Sequence, residues 1–225
     1  MNLDGSQRAP FGDIHGADWP TTCGHFVLFV GSIGGGFLMR VDADGTHAMQ
    51  LVNRNVISPT CSSDGKFVFY VNTDHPQKIW RIPVEGGMPV EIAEILGDNI
   101  VDRLSVSPDG TLLAYPHTEY ANTATPGWNL AVISVRGGPP LKTFKVSGGI
   151  RNPRWSPNGK GLQYLLIRDK ATNIWEQPLA GGEPKQITRF TSGHMFDFNW
   201  SSDSMRLVMT RGSISSNVVL LQSLR

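Results

Sequence analysis

The chain has 225 residues, with 20 Lys and Arg against 19 Asp and Glu, a net charge of +1. So even a balance offers no field of either sign to recruit nucleic acid or an anionic membrane, and neither is expected as a partner. Gly (25) and Pro (15) are too many for a helical protein and too few for disorder, so turns between strands are their expected use.

Met1 to Gly5 has neither a basic start nor an apolar core, so no secretory signal is expected there. It reads as the end of a strand with a glycine turn, and Ser6 to Phe11 as an outermost strand. Asp18 to Val30 is a degenerate first pair of strands. The loop Gly31 to Gly36 lacks the Gly-Lys-Ser/Thr of a nucleotide-binding loop and a helix after it, and is read as a hairpin loop. Leu38 to Gly45 is a strand ending in a turn, and its Asp42-Ala43-Asp44-Gly45 is read as that turn rather than as part of a calcium loop. The longest apolar stretches, near Phe26 to Val30 and Leu162 to Ile167, are far too short for a bilayer-spanning helix, so no membrane insertion is expected.

From Cys61 onward a unit repeats. An aromatic or apolar residue precedes a tight polar turn at Cys61-Ser62-Ser63-Asp64-Gly65, Val106-Ser107-Pro108-Asp109-Gly110, Trp155-Ser156-Pro157-Asn158-Gly159 and Trp200-Ser201-Ser202-Asp203-Ser204, spaced 45, 49 and 45 residues apart. Ser can accept a backbone N–H, Pro presets φ, Asp or Asn suits the third place, and Gly tolerates positive φ at the fourth. An apolar strand follows each turn, as in Phe67 to Val71 and Leu162 to Ile167. A second strand ends in a glycine turn at Ile79 to Gly87, Leu130 to Gly138 and Ile174 to Gly182, and a short closing strand comes next. Glu91 to Leu96 has room for one helical turn, and His117 to Trp128 is an insertion that lengthens a loop.

Each unit is thus four short antiparallel strands. One such sheet cannot bury both its faces, so units must stack about an axis, which accounts for Phe67 to Val71 being apolar throughout instead of alternating. The expected fold is an all-β propeller in a single domain over residues 1–225. Its blades lie near 12–54, 55–98, 99–149, 150–194, and 195–225 joined by 1–11. The ring either closes after five blades, with Ser6 to Phe11 beside Val218 to Leu221, or is a fragment of a propeller with six to eight. A sandwich or a β-helix is the rival architecture. Cys61 stands where Trp155 and Trp200 stand in other units, and is expected to be a small core residue. A bridge to Cys23 across neighbouring units is the sharper alternative. Two cysteines are too few for a disulfide framework or a thiolate metal site.

One face of a propeller carries the loops between second and third strands and between blades, and a rigid scaffold makes such loops good binding sites. His15, His75, Asp98, Asp102, His117, Arg151, His194 and Asp197, with Asp13 beside His15, fall on those loops and are the candidate binding residues. Ordinary solvated loop residues are the plainer reading, because no metal-ligand spacing ties them together. No metal or cofactor is expected. Gly-x-Ser-x-Gly and the kinase signatures are absent, so no catalytic residue is assigned.

These units resemble the TolB-like family of propeller repeats, with Trp-Ser-Pro-Asp-Gly, an apolar strand, Ile-Trp and a Gly-Gly turn. Trp155 to Lys160 with Asn173 to Thr188 carries the likeness best. Asn173 to Ser204, followed by Arg211 to Leu220, is similar to the C-terminal propeller regions of bacterial membrane-anchored serine/threonine kinases and to propellers of some bacterial transcriptional regulators. The resemblance implies a non-catalytic sensing or interaction module for a protein or peptide partner, periplasmic if it belongs to such a kinase or to a TolB-like protein. The other class it admits is a propeller enzyme of the lyase or lactonase type, or the accessory domain of a prolyl-peptidase-like hydrolase. The departures are Cys61 and Val106 for Trp, and Ser63 and Ser202 for Pro.

Overall fold

The computed structural model describes residues 16–31, 36–53, 55–74, 76–95, 97, 103–119, 127–168, 170–201 and 203–213. Every regular element among them is a strand. The first sheet is β1 (Ala17–Cys23), β2 (Phe26–Gly31), β3 (Phe37–Asp42) and β4 (Met49–Val52). The second is β5 (Val56–Cys61), β6 (Phe67–Asn72), β7 (Lys78–Pro83) and β8 (Val90–Glu94). The third is β9 (Ser105–Val106), β10 (Leu112–Glu119), β11 (Gly127–Ser134) and β12 (Lys142–Val146). The fourth is β13 (Ile150–Trp155), β14 (Gly161–Arg168), β15 (Ala171–Pro178) and β16 (Lys185–Gln186), and β17 (His194–Trp200) pairs with β18 (Leu207–Gly212) in the fifth. Each four-stranded sheet is an antiparallel meander in chain order, and the sheets are arranged as a propeller. The expected clasp of Ser6 to Phe11 on Val218 to Leu221 lies outside the described residues.

Stacking explains the apolar strands. On β6, Val68 and Tyr70 pack with Leu28 and Leu38 of the first sheet, while Phe69 and Val71 pack with Leu113, Tyr115 and Ile133 of the third. The third sheet meets the fourth through Ala114, Leu130 and Val132 against Leu162, Tyr164 and Leu166. Leu165 and Ile174 then meet Met195 and Phe198 of the fifth. The core is a series of seams between blades, each filled from two sheets, as a chain of nearest-neighbour interfaces requires.

The polar turns form as their residues dictate. Ser156 Oγ donates to Asn158 Oδ1 and accepts from the Gly161 N–H, Asn158 Oδ1 accepts from the Lys160 N–H, and Gly159 takes φ +68°. Ser62, Ser107 and Ser201 make the same bonds with Asp64, Asp109 and Asp203. Where the last copy lacks Gly, Ser204 itself takes φ +58°. Successive turns also touch, Gly65 approaching Gly24, Gly110 approaching Ser63 and Gly159 approaching Pro108. The hydrogen bonds from Ser62, Ser107 and Ser201 hold Asp64, Asp109 and Asp203 below the usual aspartate value of 3.8. A carboxylate whose pKa is depressed on folding adds stability that is present above the unfolded pKa and lost as pH falls through the folded one. The melting temperature should therefore fall below about pH 4. Asp109→Asn, which copies Asn158 without the titration, should make that fall shallower in a pH series of melts.

Two local expectations are corrected. Glu91 to Glu94 lies in β8, and forms no helical turn, because Val90 to Glu94 completes the sheet beside β7. Cys61 is not a free core residue: it is disulfide-bonded to Cys23, which closes β1 just as Cys61 closes β5. The two positions are equivalent in neighbouring blades and their Cα atoms stand 5.2 Å apart, a span a disulfide fits.

Candidate functional site

The innermost strands carry a device that repeats. Trp19, Ser58 and Asn152 each have positive φ (56°, 55° and 50°), each precedes a proline, and each lies in a register shift of β1, β5 or β13. Such bulges re-aim side chains, and a non-glycine residue in the left-handed region marks a special position. Ser58 Oγ accepts the Leu104 N–H at 2.7 Å, and Asn152 Nδ2 donates to the Phe196 carbonyl at 2.7 Å. Both bonds cross to the next blade. The signal for this device in the sequence is Pro59 and Pro153, each two residues ahead of the Cys or Trp landmark.

Charged residues gather beside these bulges. Asp197 on β17 receives Arg103 at 3.4 Å and Arg154 of β13 at 3.2 Å, and Asn152 Nδ2 stands 3.2 Å from its Oδ1. The Arg103 guanidinium in turn lies over the Trp19 ring, 5.7 Å from its centroid. Four of the five described sheets thus contribute to one cluster, in which two guanidinium groups share one carboxylate. Such an arrangement holds neighbouring sheets in register.

Of the candidate residues, Asp197 belongs to this cluster and so is an internal tie. Arg151 and His194 lie elsewhere, lining one groove between the third, fourth and fifth sheets. Its larger hollow, about 530 Å³, is bordered by Trp128, Ile150, Arg151, Asn152, Ile167 and Phe196, a volume in the range of small-ligand sites. A smaller one, about 180 Å³, shares Gly149, Arg151, Ile167 and Phe196, and adds Thr172, His194 and Met195. Ile167 and Phe196 are 52% and 48% exposed, although each is large and apolar.

His117 departs from the loop position expected of it. The strand pairing continues through Thr118↔Trp128 and Glu119↔Gly127, so His117 lies within β10 and is 1% exposed. Its ring faces the seam with the second blade, 6.0 Å from the Tyr115 ring, and neither ring nitrogen has a hydrogen-bond partner among the described residues. Burial holds its imidazole below the usual histidine range, with Glu119 opposing weakly, so it is neutral at pH 7. His15, His75, Asp98, Asp102 and Asp13 lie outside the described residues.

No family model matches the chain. The Tol-Pal system protein TolB of Marinomonas sp. is 26% identical over 102 residues, which are 44% of this chain and 23% of the relative. The structure of TolB from Acinetobacter baumannii superposes with a TM-score of 0.61 at 20% identity, over 81% of this chain and 44% of that one. The fold is a TolB-like β-propeller. The same scaffold superposes on oligogalacturonate lyase from Vibrio parahaemolyticus with a TM-score of 0.72 at 14% identity, covering 91% of this chain and 62% of the lyase. It also superposes on the acylaminoacyl peptidase of Pyrococcus horikoshii with a TM-score of 0.64 at 13% identity, over 86% of this chain and 35% of that one. The chain spans less than half the length of either TolB relative, and at these identities the structural likenesses show the fold alone.

Proposed function

We propose that this chain is a binding module of one propeller domain, whose loop face takes a protein or peptide partner, and that it serves as the sensing or docking part of a larger system. The observation that carries this reading is the groove between Trp128 and His194, where Ile167 and Phe196 stay exposed beside Arg151 on a rigid sheet framework. Exposed large apolar side chains beside a cleft mark interaction sites. The Tol-Pal system protein among its relatives fits a role in assembly. The Cys23–Cys61 disulfide favours an oxidising compartment such as the periplasm, since such bonds rarely persist in a reducing cytosol.

The test is panning of random heptapeptides displayed on phage against the whole chain, with recovered clones measured again on Ile167→Ser/Phe196→Ser. Both side chains are about half exposed, so the double variant should melt with the parent. Clones that bind the parent and lose at least about tenfold on the variant support the reading, since two apolar anchors at about 1.4 kcal/mol together reach that factor. No clones, or clones indifferent to the substitutions, overturn it.

A further inference from the structure

The groove has an internal order that narrows its partner. Arg151 borders both hollows, so a cation stands between two apolar places. The larger hollow extends to the Trp128 indole and the smaller to Met195 and His194, while the exposed Ile167 and Phe196 side chains border both. Arg151 is exposed, and no described carboxylate pairs with it, whereas Arg103 and Arg154 nearby are both engaged by Asp197. Thr172, in the smaller hollow, is 2% exposed, and its Oγ1 is buried with no hydrogen-bond partner among the described residues. A buried hydroxyl without a partner is costly, so the wall of the smaller hollow carries one unmet polar group.

From these features we infer that the groove binds an extended peptide segment bearing a carboxylate side chain flanked by large apolar side chains, in the pattern apolar, spacer, acidic, spacer, apolar. This rests on the proposed peptide-binding role and specifies its ligand. In an extended chain, side chains two residues apart fall on one face, so the acidic group meets Arg151 while its neighbours enter the two hollows. The guanidinium fork matches a carboxylate in a way that a neutral amide cannot. The apolar walls supply area, and the charge supplies choice.

The probe is a fluorescein-labelled, end-capped peptide Gly-Ser-Phe-Ser-Glu-Ser-Leu-Ser-Gly, titrated with the whole chain and followed by anisotropy, beside its twin with Gln in place of Glu. The Glu peptide should bind saturably and about fivefold more tightly than the Gln twin, the size expected of a partly exposed charge pair. Arg151→Gln should abolish the preference by weakening the Glu peptide alone. Phe196→Ser should weaken both peptides alike and keep the preference. Equal affinity of the two peptides for the parent, or a preference that survives Arg151→Gln, overturns the inference. If neither peptide binds while panned clones do so through Ile167 and Phe196, the inference fails and the peptide-binding role stands. Failure of both assays removes the role itself.

Discussion

Reduction of the Cys23–Cys61 disulfide should lower the melting temperature by on the order of 10 °C. The bond closes a loop of 38 residues and ties the ends of β1 and β5 across the seam of the first two blades. Removing it frees that loop in the unfolded chain, which in the loop-entropy account costs about 4 kcal/mol. For a chain of this size each kcal/mol moves the midpoint by roughly 2–4 °C. Cys23→Ala/Cys61→Ala should melt with the reduced parent and be indifferent to reductant. A parent whose midpoint does not change with full reduction, verified by thiol counting, would show that the first seam holds without the bond. The loss should be local as well. Amide protection should fall first in β1, β2 and β5, while the seam of Leu130 and Leu162 keeps its own, because each interface depends mainly on its two sheets.

That disulfide also shows where the sequence is legible and where it is silent. Turns and two-faced strands can be read because their signals are local. Ser156 to Gly159 specifies its own hydrogen bonds, and an unbroken apolar run such as Phe67 to Val71 has no need of a known partner to announce two buried faces. What a residue does to the neighbouring blade is not local. Cys23 could not be recognised as the landmark residue of the first unit, because the turn that follows it, Gly24-His25, has none of the Ser-Pro-Asp-Gly chemistry. The sequence places His117 in a loop because its segment lengthens the unit, but His117 to Glu119 continue the β10–β11 ladder. Arg151 and His194 were found among many loop residues, and only the fold shows that they share a groove while Asp197 is taken by two arginines. Trp128 and Phe196, the apolar walls of that groove, carried no signal, since aromatic residues in strands are ordinarily core.

Trp155→Ala should cost about 3–5 kcal/mol, the range for a large aromatic removed from a core. The landmark position that Cys61 fills with a covalent bond is filled here by a hydrogen bond to the preceding blade. Trp155 is 6% exposed, its Nε1–H donates to the Ser105 carbonyl at 3.0 Å, and its backbone N–H reaches Ser105 Oγ at 3.3 Å. Trp200 repeats the arrangement one blade later, donating to Gln163 Oε1 at 2.8 Å. At Val106, which has no side-chain donor, the link is made from the other side, by Ser63 Oγ donating to the Ser107 carbonyl at 3.0 Å. The two departures from the repeat, Val for Trp and Ser for Pro, therefore compensate each other. Trp155→Phe separates the two contributions: it keeps most of the buried ring and removes the N–H, and should cost about 1–2 kcal/mol, a net hydrogen bond plus a small void. Urea unfolding of the parent and both variants measures each. If Phe costs as much as Ala, the hydrogen bond dominates the seam, and if Phe costs nothing, the indole acts by volume alone. The intermediate result would mean that what recurs in this repeat is a place for a clasp between blades, with the chemistry of the clasp left free to be a disulfide, an indole or a hydroxyl from the facing turn.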